Sequence, residues 1–339
     1  MPPLIRRHAL ALVAAVLAVP LASCARKSRT PASERPAEPE QATEGVRSPL
    51  PEGVEARSFL GESLTIPELP RDVEEARMKS FLDAEVALEA SPDDADALLW
   101  MGRRTAYLGR YQDAIDIYSH ALTLHPDDPR IYRHRGHRYI TVRELGSAID
   151  DLRHAADIIA GQPDEVEPDG LPNARNIPTS TLHFNIWYHL GLAYYLRGDF
   201  PAAAEAYRTC LLVARHPDAK VAASYWLYLT LRRLGREDEA RTVADGVHDD
   251  MDVIESGGYL DLLGLFKGER TPEQLMAPEG DEATLESTTN AYGVGMWYLL
   301  EGRKDDARQA FQRIVAARDQ WAAFGYIAAE AELAGLGSR

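Results

Sequence analysis

The chain has 339 residues and a formal net charge of −16. That balance disfavours general nucleic-acid binding, which relies on basic side chains neutralising phosphates. Two cysteines cannot supply a disulfide framework for a chain of this length, so an apolar core has to organise it.

Arg6 and Arg7 precede a run from Ala9 to Ala22 that is apolar apart from Pro20. The run is too short to span a bilayer, which takes about 20 apolar residues. A basic start, a short apolar core and small residues after it describe a secretory signal over residues 1–23. The run closes on Leu21-Ala22-Ser23-Cys24, which resembles the lipobox of bacterial lipoproteins. The resemblance implies that Cys24 is lipidated and becomes the N-terminus. Ala25, rather than Asp, at the next position then implies the periplasmic face of the outer membrane. Acyl chains would anchor the protein at about 0.8 kcal/mol per buried CH₂. Cys210 is then left without an internal disulfide partner.

Residues 24–57 hold the lipidated Cys24 and a stretch with Pro31, Pro36, Pro39, Pro49 and Pro51 among Ser, Glu, Ala and Arg. Without apolar periodicity this reads as a flexible tether. Residues 58–339 read as the folded part. Residues 74–92 have the pattern of the second helix of a truncated leading unit, with Ala87 and Pro92 in register.

Repeats follow. Gly102 and Gly136 lie 34 residues apart. The first unit carries Leu98, Gly102, Gly109, Tyr111, Ala114, Tyr118 and Ala121; the second carries Tyr132, Gly136, Tyr139, Ala148, Leu152 and Ala155. A third has Trp187, Gly191, Tyr194, Gly198, Phe200, Ala203, Tyr207 and Cys210, and weaker copies surround Gly235 and Gly295. Each unit reads as two antiparallel helices, with small residues allowing close approach and large ones filling between units. One unit cannot bury its apolar face alone, so units stack. Asp93-Asp94 and Pro126-Asp127-Asp128-Pro129 read as helix starts and not as catalytic carboxylate pairs. Cys210 falls where the repeat needs a small buried residue.

This spacing resembles the tetratricopeptide repeat family. The resemblance implies an all-α fold: a right-handed superhelical α-solenoid of helix-turn-helix units. The period breaks twice, near residues 161–180, rich in Pro, Asn and Asp, and near residues 248–286, where one apolar helix and a short helix started by Pro272 are expected. Residues 320–334 read as a closing helix with Trp321, Phe324 and Ile327 on one stripe. Within the second half, "YWLYL" (225–229), "YLDLLGLFKGERTPEQL" (259–275) and "YGVGMWYLLEGRKDDARQAFQRIVA" (292–316) are similar to outer-membrane tetratricopeptide lipoproteins. Those lipoproteins serve as adaptors for a periplasmic protease and for peptidoglycan hydrolases.

The segment "IYRHRGHRY" (131–139) sets three arginines and two histidines within six residues of an acidic chain. Arg133, His134 and His137 share a stripe beside the packing positions. In tetratricopeptide solenoids that stripe lines the concave surface. Its counterparts are Trp100, Arg103 and Tyr107 in the first unit, and Tyr188, His189 and Tyr195 in the third. The expected groove is thus Arg, His and aromatic, suited to an extended, acidic peptide. Solvated cations paired with Asp127, Asp128 or Glu144 are the plainer alternative. Metal binding at His134 and His137 lacks a clear third ligand.

No metalloprotease, serine-hydrolase or phosphate-loop signature occurs. The expected protein is therefore not an enzyme and needs no cofactor or metal. It would be an envelope adaptor or scaffold binding proteins or peptides, held to the membrane by its lipid. The alternatives are a pilotin or outer-membrane assembly factor, and a ligand or metal sensor or hydrolase using His134, His137 and His189.

Overall fold

The computed structural model describes residues 50–276 and 284–337. The signal peptide, Cys24 and the tether up to residue 49 lie outside the described residues. The chain from Pro49 onward forms one unit.

That unit starts earlier than the expected end of the tether at residue 57. Strands β1 (Val54–Arg57) and β2 (Ser63–Thr65) form an antiparallel hairpin, with Ala56 opposite Leu64. Both of these side chains are buried. Glu55 is tied in as well, its carboxylate accepting the Gln112 backbone N–H at 2.9 Å. Prolines nearby mask this hairpin in the sequence, and its apolar core contribution is limited to Ala56 and Leu64.

Helices in chain order are α1 (Arg71–Ala90), α2 (Ala95–Tyr107), α3 (Tyr111–Leu124), α4 (Pro129–Thr141) and α5 (Leu145–Ile158). After the first break come α6 (Leu182–Arg197), α7 (Phe200–Val213), α8 (Pro217–Arg233) and α9 (Glu237–Asp245). Within the second break lie α10 (Gly257–Lys267) and α11 (Pro272–Leu275), and α12 (Leu285–Leu300), α13 (Lys304–Ala316) and α14 (Phe324–Gly337) complete the chain. This is the all-α hairpin solenoid the 34-residue spacing called for, with consecutive helices packed in sequence order.

Sequence-local chemistry sets the ends of these helices. Asp94 accepts from the Ala97 N–H at 2.9 Å, and Asp128 accepts from Arg130 behind Pro129 at the first helical position. Both acidic pairs therefore lie at helix starts. Four hairpins close where a helical glycine meets a large side chain of the partner helix. A Cβ on Gly102 would lie 2.3 Å from Tyr118 Cε1, and one on Gly191 would lie 2.8 Å from the Tyr207 ring. Gly136 against Leu152 and Gly295 against Phe311 repeat the arrangement. Cys210 is buried, with its thiol 3.6 Å from the Phe184 carbonyl.

The closing helix differs from the expected one. It starts at Phe324, and Trp321 sits in the turn before it, after a 3-10 turn at Arg318–Gln320. This segment reaches back to the start of the fold. The Trp321 indole N–H donates to the Thr65 carbonyl at 2.8 Å, and its ring meets Tyr111 edge-on at 5.2 Å. Arg318 pairs with Glu62. Helix α14 packs on α12 and α13 and also touches α6. The C-terminal segment thus returns across the face formed by the first helices of the earlier units.

Candidate functional site

Helices α2, α4 and α6 are the first helices of three successive units. They carry Trp100, Arg103 and Tyr107 on α2, Arg133, His134 and His137 on α4, and Tyr188 and His189 on α6. The expected open groove is not there. Arg103, Arg133, His134, Tyr188 and His189 are all buried, and what buries them is the chain's own loop and C-terminal segment.

Residues 165–170 of the first insertion lie across the basic end. Arg103 donates to the Pro168 carbonyl at 2.9 Å, and Arg104 donates to the Gly170 carbonyl at 2.7 Å. The Arg103 guanidinium also stacks over Trp100, 4.2 Å from its ring centre. Gly170 approaches so closely that a Cβ there would lie 1.9 Å from the Tyr107 hydroxyl. Glu167 supplies the charge. Its carboxylate pairs with Arg133 at 3.0 Å and accepts from the Asn185 side-chain amide at 3.0 Å. His134 Nε2 lies 3.4 Å from the same carboxylate. His134 Nδ1 faces Arg133 Nη1 at 2.9 Å; because a guanidinium only donates, Nδ1 accepts and Nε2 carries the proton toward Glu167. An acidic, extended segment does lie on these residues, and it belongs to the chain itself.

The other side is closed by Phe324. Its ring lies 5.3 Å from His137, 5.7 Å from His189 and 6.4 Å from Tyr188. His137 and His189 face each other with ring centres 4.3 Å apart. His189 Nδ1 donates to the Asn185 carbonyl at 2.6 Å. Burial, reinforced by neighbouring arginines, holds His134, His137 and His189 well below the ordinary histidine range, so all three are neutral near pH 7. Among the described residues, no three His, Cys, Asp or Glu side chains are gathered to hold a metal ion. Tyr195 stands apart from this cluster. It is buried, with its hydroxyl 3.0 Å from that of Tyr292 and its ring edge-on to Trp226.

One part of the face stays open. A cavity of about 630 Å³ is lined by His137, Tyr188, Tyr259 and Phe324, with Ile254, Gly257, Gly258, Leu285, Thr289, Ala322 and Ala323, and with Glu255 and Glu286. That volume lies within the range of ligand-binding clefts, about 300–1,000 Å³. Tyr188 is fixed at its base: its hydroxyl accepts from the Trp226 indole N–H at 2.9 Å and lies 3.4 Å from the Tyr259 hydroxyl. Of the nine residues expected in the groove, His137 and Tyr188 reach this cavity. Sequence reasoning missed its other walls, because they come from the second insertion and the C-terminal segment. It also missed Glu167, although "PDEVEPDG" (163–170) is an acidic run opposite a basic one.

The fold is a helical-hairpin solenoid, and the face of its first helices is partly covered by its own insertion and C-terminal segment. Models of the tetratricopeptide repeat family match residues 71–129 and 182–220, and a second tetratricopeptide model matches residues 291–318. Among solved structures, a tetratricopeptide repeat protein from Parabacteroides merdae is 17% identical, with 73% of this chain and 93% of that one covered and a TM-score of 0.44. A structure of MamA is 18% identical, covering 60% of this chain and 100% of that one with a TM-score of 0.40. YrrB, described as a tetratricopeptide protein with an unusual peptide-binding site, is 14% identical, covering 69% and 91% with a TM-score of 0.39. No curated protein matches the chain.

Proposed function

We propose that this protein is a non-enzymatic interaction scaffold of the cell envelope, holding a partner protein on the concave face of its solenoid. The observation that carries the reading is the cavity of about 630 Å³ on that face, walled by four rings and open to solvent beside Leu285, which is 64% exposed. A formed cleft of this size with ring walls and few polar groups is the usual form of a binding site. The basic end of the face is occupied by Glu167 and contributes to partner binding only if residues 165–170 leave it. Lipidation at Cys24 would place the scaffold at the periplasmic face of the outer membrane, as the apolar run and Leu21-Ala22-Ser23-Cys24 suggest.

The test is capture. The full-length chain, used as bait on solubilised envelope from its host, retains a discrete protein, and Thr289→Trp, which fills the cavity, releases it. Identical capture by a folded Thr289→Trp protein overturns the concave-face reading. Cys24→Ser moves the protein from the membrane to the soluble fraction if the anchor is as proposed; unchanged fractionation argues against it.

A second reading has one observation in its favour. The cavity volume also suits a small apolar ligand, which would make the protein a sensor, and mass spectrometry of the purified protein under native conditions would show such a ligand bound.

A further inference from the structure

The open cavity and the covered basic end sit side by side on the concave face, and their charges are opposite. The arginines that could recognise an acidic partner are engaged: Arg133 by Glu167, Arg103 and Arg104 by the carbonyls of Pro168 and Gly170. Among the described residues that line the open cavity there is no lysine or arginine, and its two charged side chains are Glu255 and Glu286. The nearby Arg175 is taken up by Asp252 at 2.7 Å.

Two helix N-termini border the cavity, those of α10 and α12, and each has a carboxylate beside it, Asp218 at α10 and Glu286 in the first turn of α12. Gly257 and Gly258 begin α10, whose N-terminus carries the positive end of the helix dipole. Immediately before it, the N–H groups of Ile254, Glu255 and Ser256 all donate to the buried Asp218 carboxylate, at 2.9, 2.6 and 2.7 Å. A full negative charge thus sits against that helix end. What remains is a ring-walled apolar chamber with carboxylates at its mouth, in a chain of formal net charge −16. Aromatic faces attract cations, and carboxylates at the rim steer them.

Resting on the scaffold reading above, we infer that the cavity takes an apolar, preferably aromatic, side chain of a partner peptide whose flanking residues are lysine or arginine. The partner segment is therefore basic and not acidic. The apolar side chain would enter between Tyr188, Tyr259 and Phe324, and the flanking cations would meet Glu255 and Glu286.

Two fluorescein-labelled peptides test this on the full-length chain. They are identical except that a central phenylalanine is flanked by lysines in one and by glutamates in the other. The lysine-flanked peptide is expected to saturate the protein below about 1 mM and to bind at least about tenfold more tightly than its acidic counterpart, a gap of ~1.4 kcal/mol. Added salt weakens it. Glu255→Lys combined with Glu286→Lys removes or reverses the preference. Leu285→Lys, at an exposed position that leaves folding intact, weakens the lysine-flanked peptide alone. Equal binding of both peptides, tighter binding of the acidic one, or no binding of either up to about 1 mM overturns the inference. A small molecule carried through purification and displaced by neither peptide also overturns it. If envelope capture depends on Thr289 while the peptides show no basic preference, the scaffold reading stands and only the assigned partner chemistry fails.

Discussion

Arg143 and Glu330, 187 residues apart in sequence, form an ion pair inside the protein, with Nη2 2.9 Å from Oε1 and Nε 3.1 Å from Oε2. Both side chains are almost fully buried, at 3% and 1% exposure. Arg143 also donates to the carbonyls of Thr141 and Trp321, and Glu330 accepts from the Phe59 N–H at 3.2 Å. The pair thus joins the second hairpin, the C-terminal helix and the N-terminal β-hairpin. Arg143 is held at a φ of 67°, at the turn position where the other hairpins use Gly109, Gly198, Gly235 and Gly302, all with positive φ. A non-glycine residue in that region carries backbone strain, and the buried pair is what offsets it.

Arg143→Ala should therefore be among the most disruptive single changes. It leaves Glu330 buried without its cation, a loss of about 3–5 kcal/mol. Arg143→Gly loses the same pair but relieves the backbone, so it should be milder than the alanine variant by about 1 kcal/mol. Urea denaturation of both variants checks the order; equal stability to the natural chain would mean that the pair does not hold the ends together.

Glu167 anchors the inserted segment, and Glu167→Ala removes the acceptor of Arg133, His134 and Asn185 together. The expected cost is about 3 kcal/mol, because a buried guanidinium is left unpaired. Amide hydrogens around residues 165–182 should exchange faster, as local opening of that segment becomes easier. Hydrogen-exchange mass spectrometry reads this directly, and unchanged protection would show that the segment is held by its backbone contacts alone.

Gly102→Ala should destabilise by about 1–3 kcal/mol, because the added methyl meets the Tyr118 ring in a packed interface. Gly146→Ala, in a helix where an added Cβ meets nothing within 4 Å, should instead stabilise by about 0.5–1 kcal/mol. Melting temperatures moving in opposite directions support the close-approach account; a harmless Gly102→Ala contradicts it.

Acidification should weaken the fold through the buried His134 and His189 and the half-buried His137. His134, His137 and His189 have folded pKa values depressed by burial and by nearby arginines. Their unfolded value is about 6.5, so above it both states are neutral and they contribute no pH dependence. Below about 6.5 the unfolded chain takes up protons that the folded chain refuses, and stability falls with pH until the folded values are reached. Buried carboxyls with raised values, Glu55 and Asp151, work in the opposite direction. The informative quantity is therefore the difference between His137→Gln and the natural chain. The variant should lose less stability between about pH 7 and 5, and identical profiles would exclude His137 from the effect.

Cys210 should be inert until the protein unfolds. Burial pushes its thiol well above the ordinary range and removes it from solvent. In a Cys24→Ser chain, thiol modification should follow the rate of global opening. Fast labelling under native conditions would place Cys210 in a locally mobile part of the third unit.

The repeat was legible in the order of residues alone. Gly102, Gly136, Gly191 and Gly295 each precede their partners Tyr118, Leu152, Tyr207 and Phe311 by the same number of residues, because each hairpin is a local object built from residues close together in the chain. Helix starts at Asp94 and Asp128, the burial of Cys210 and the short helix at Pro272 were legible for the same reason. The stripe through Arg103, Arg133, His134 and His189 was also legible, since helix periodicity fixes which residues share a face. What covers that face follows from long-range packing. Glu167 meets Arg133, Phe324 meets His137 and His189, and Glu330 meets Arg143 across separations that carry no period. Such contacts depend on how far the solenoid curves and where its insertions return. A local pattern cannot encode that, so an open acidic-peptide groove was the natural expectation, and a self-filled face with one open, acid-rimmed cavity is what the packing produced.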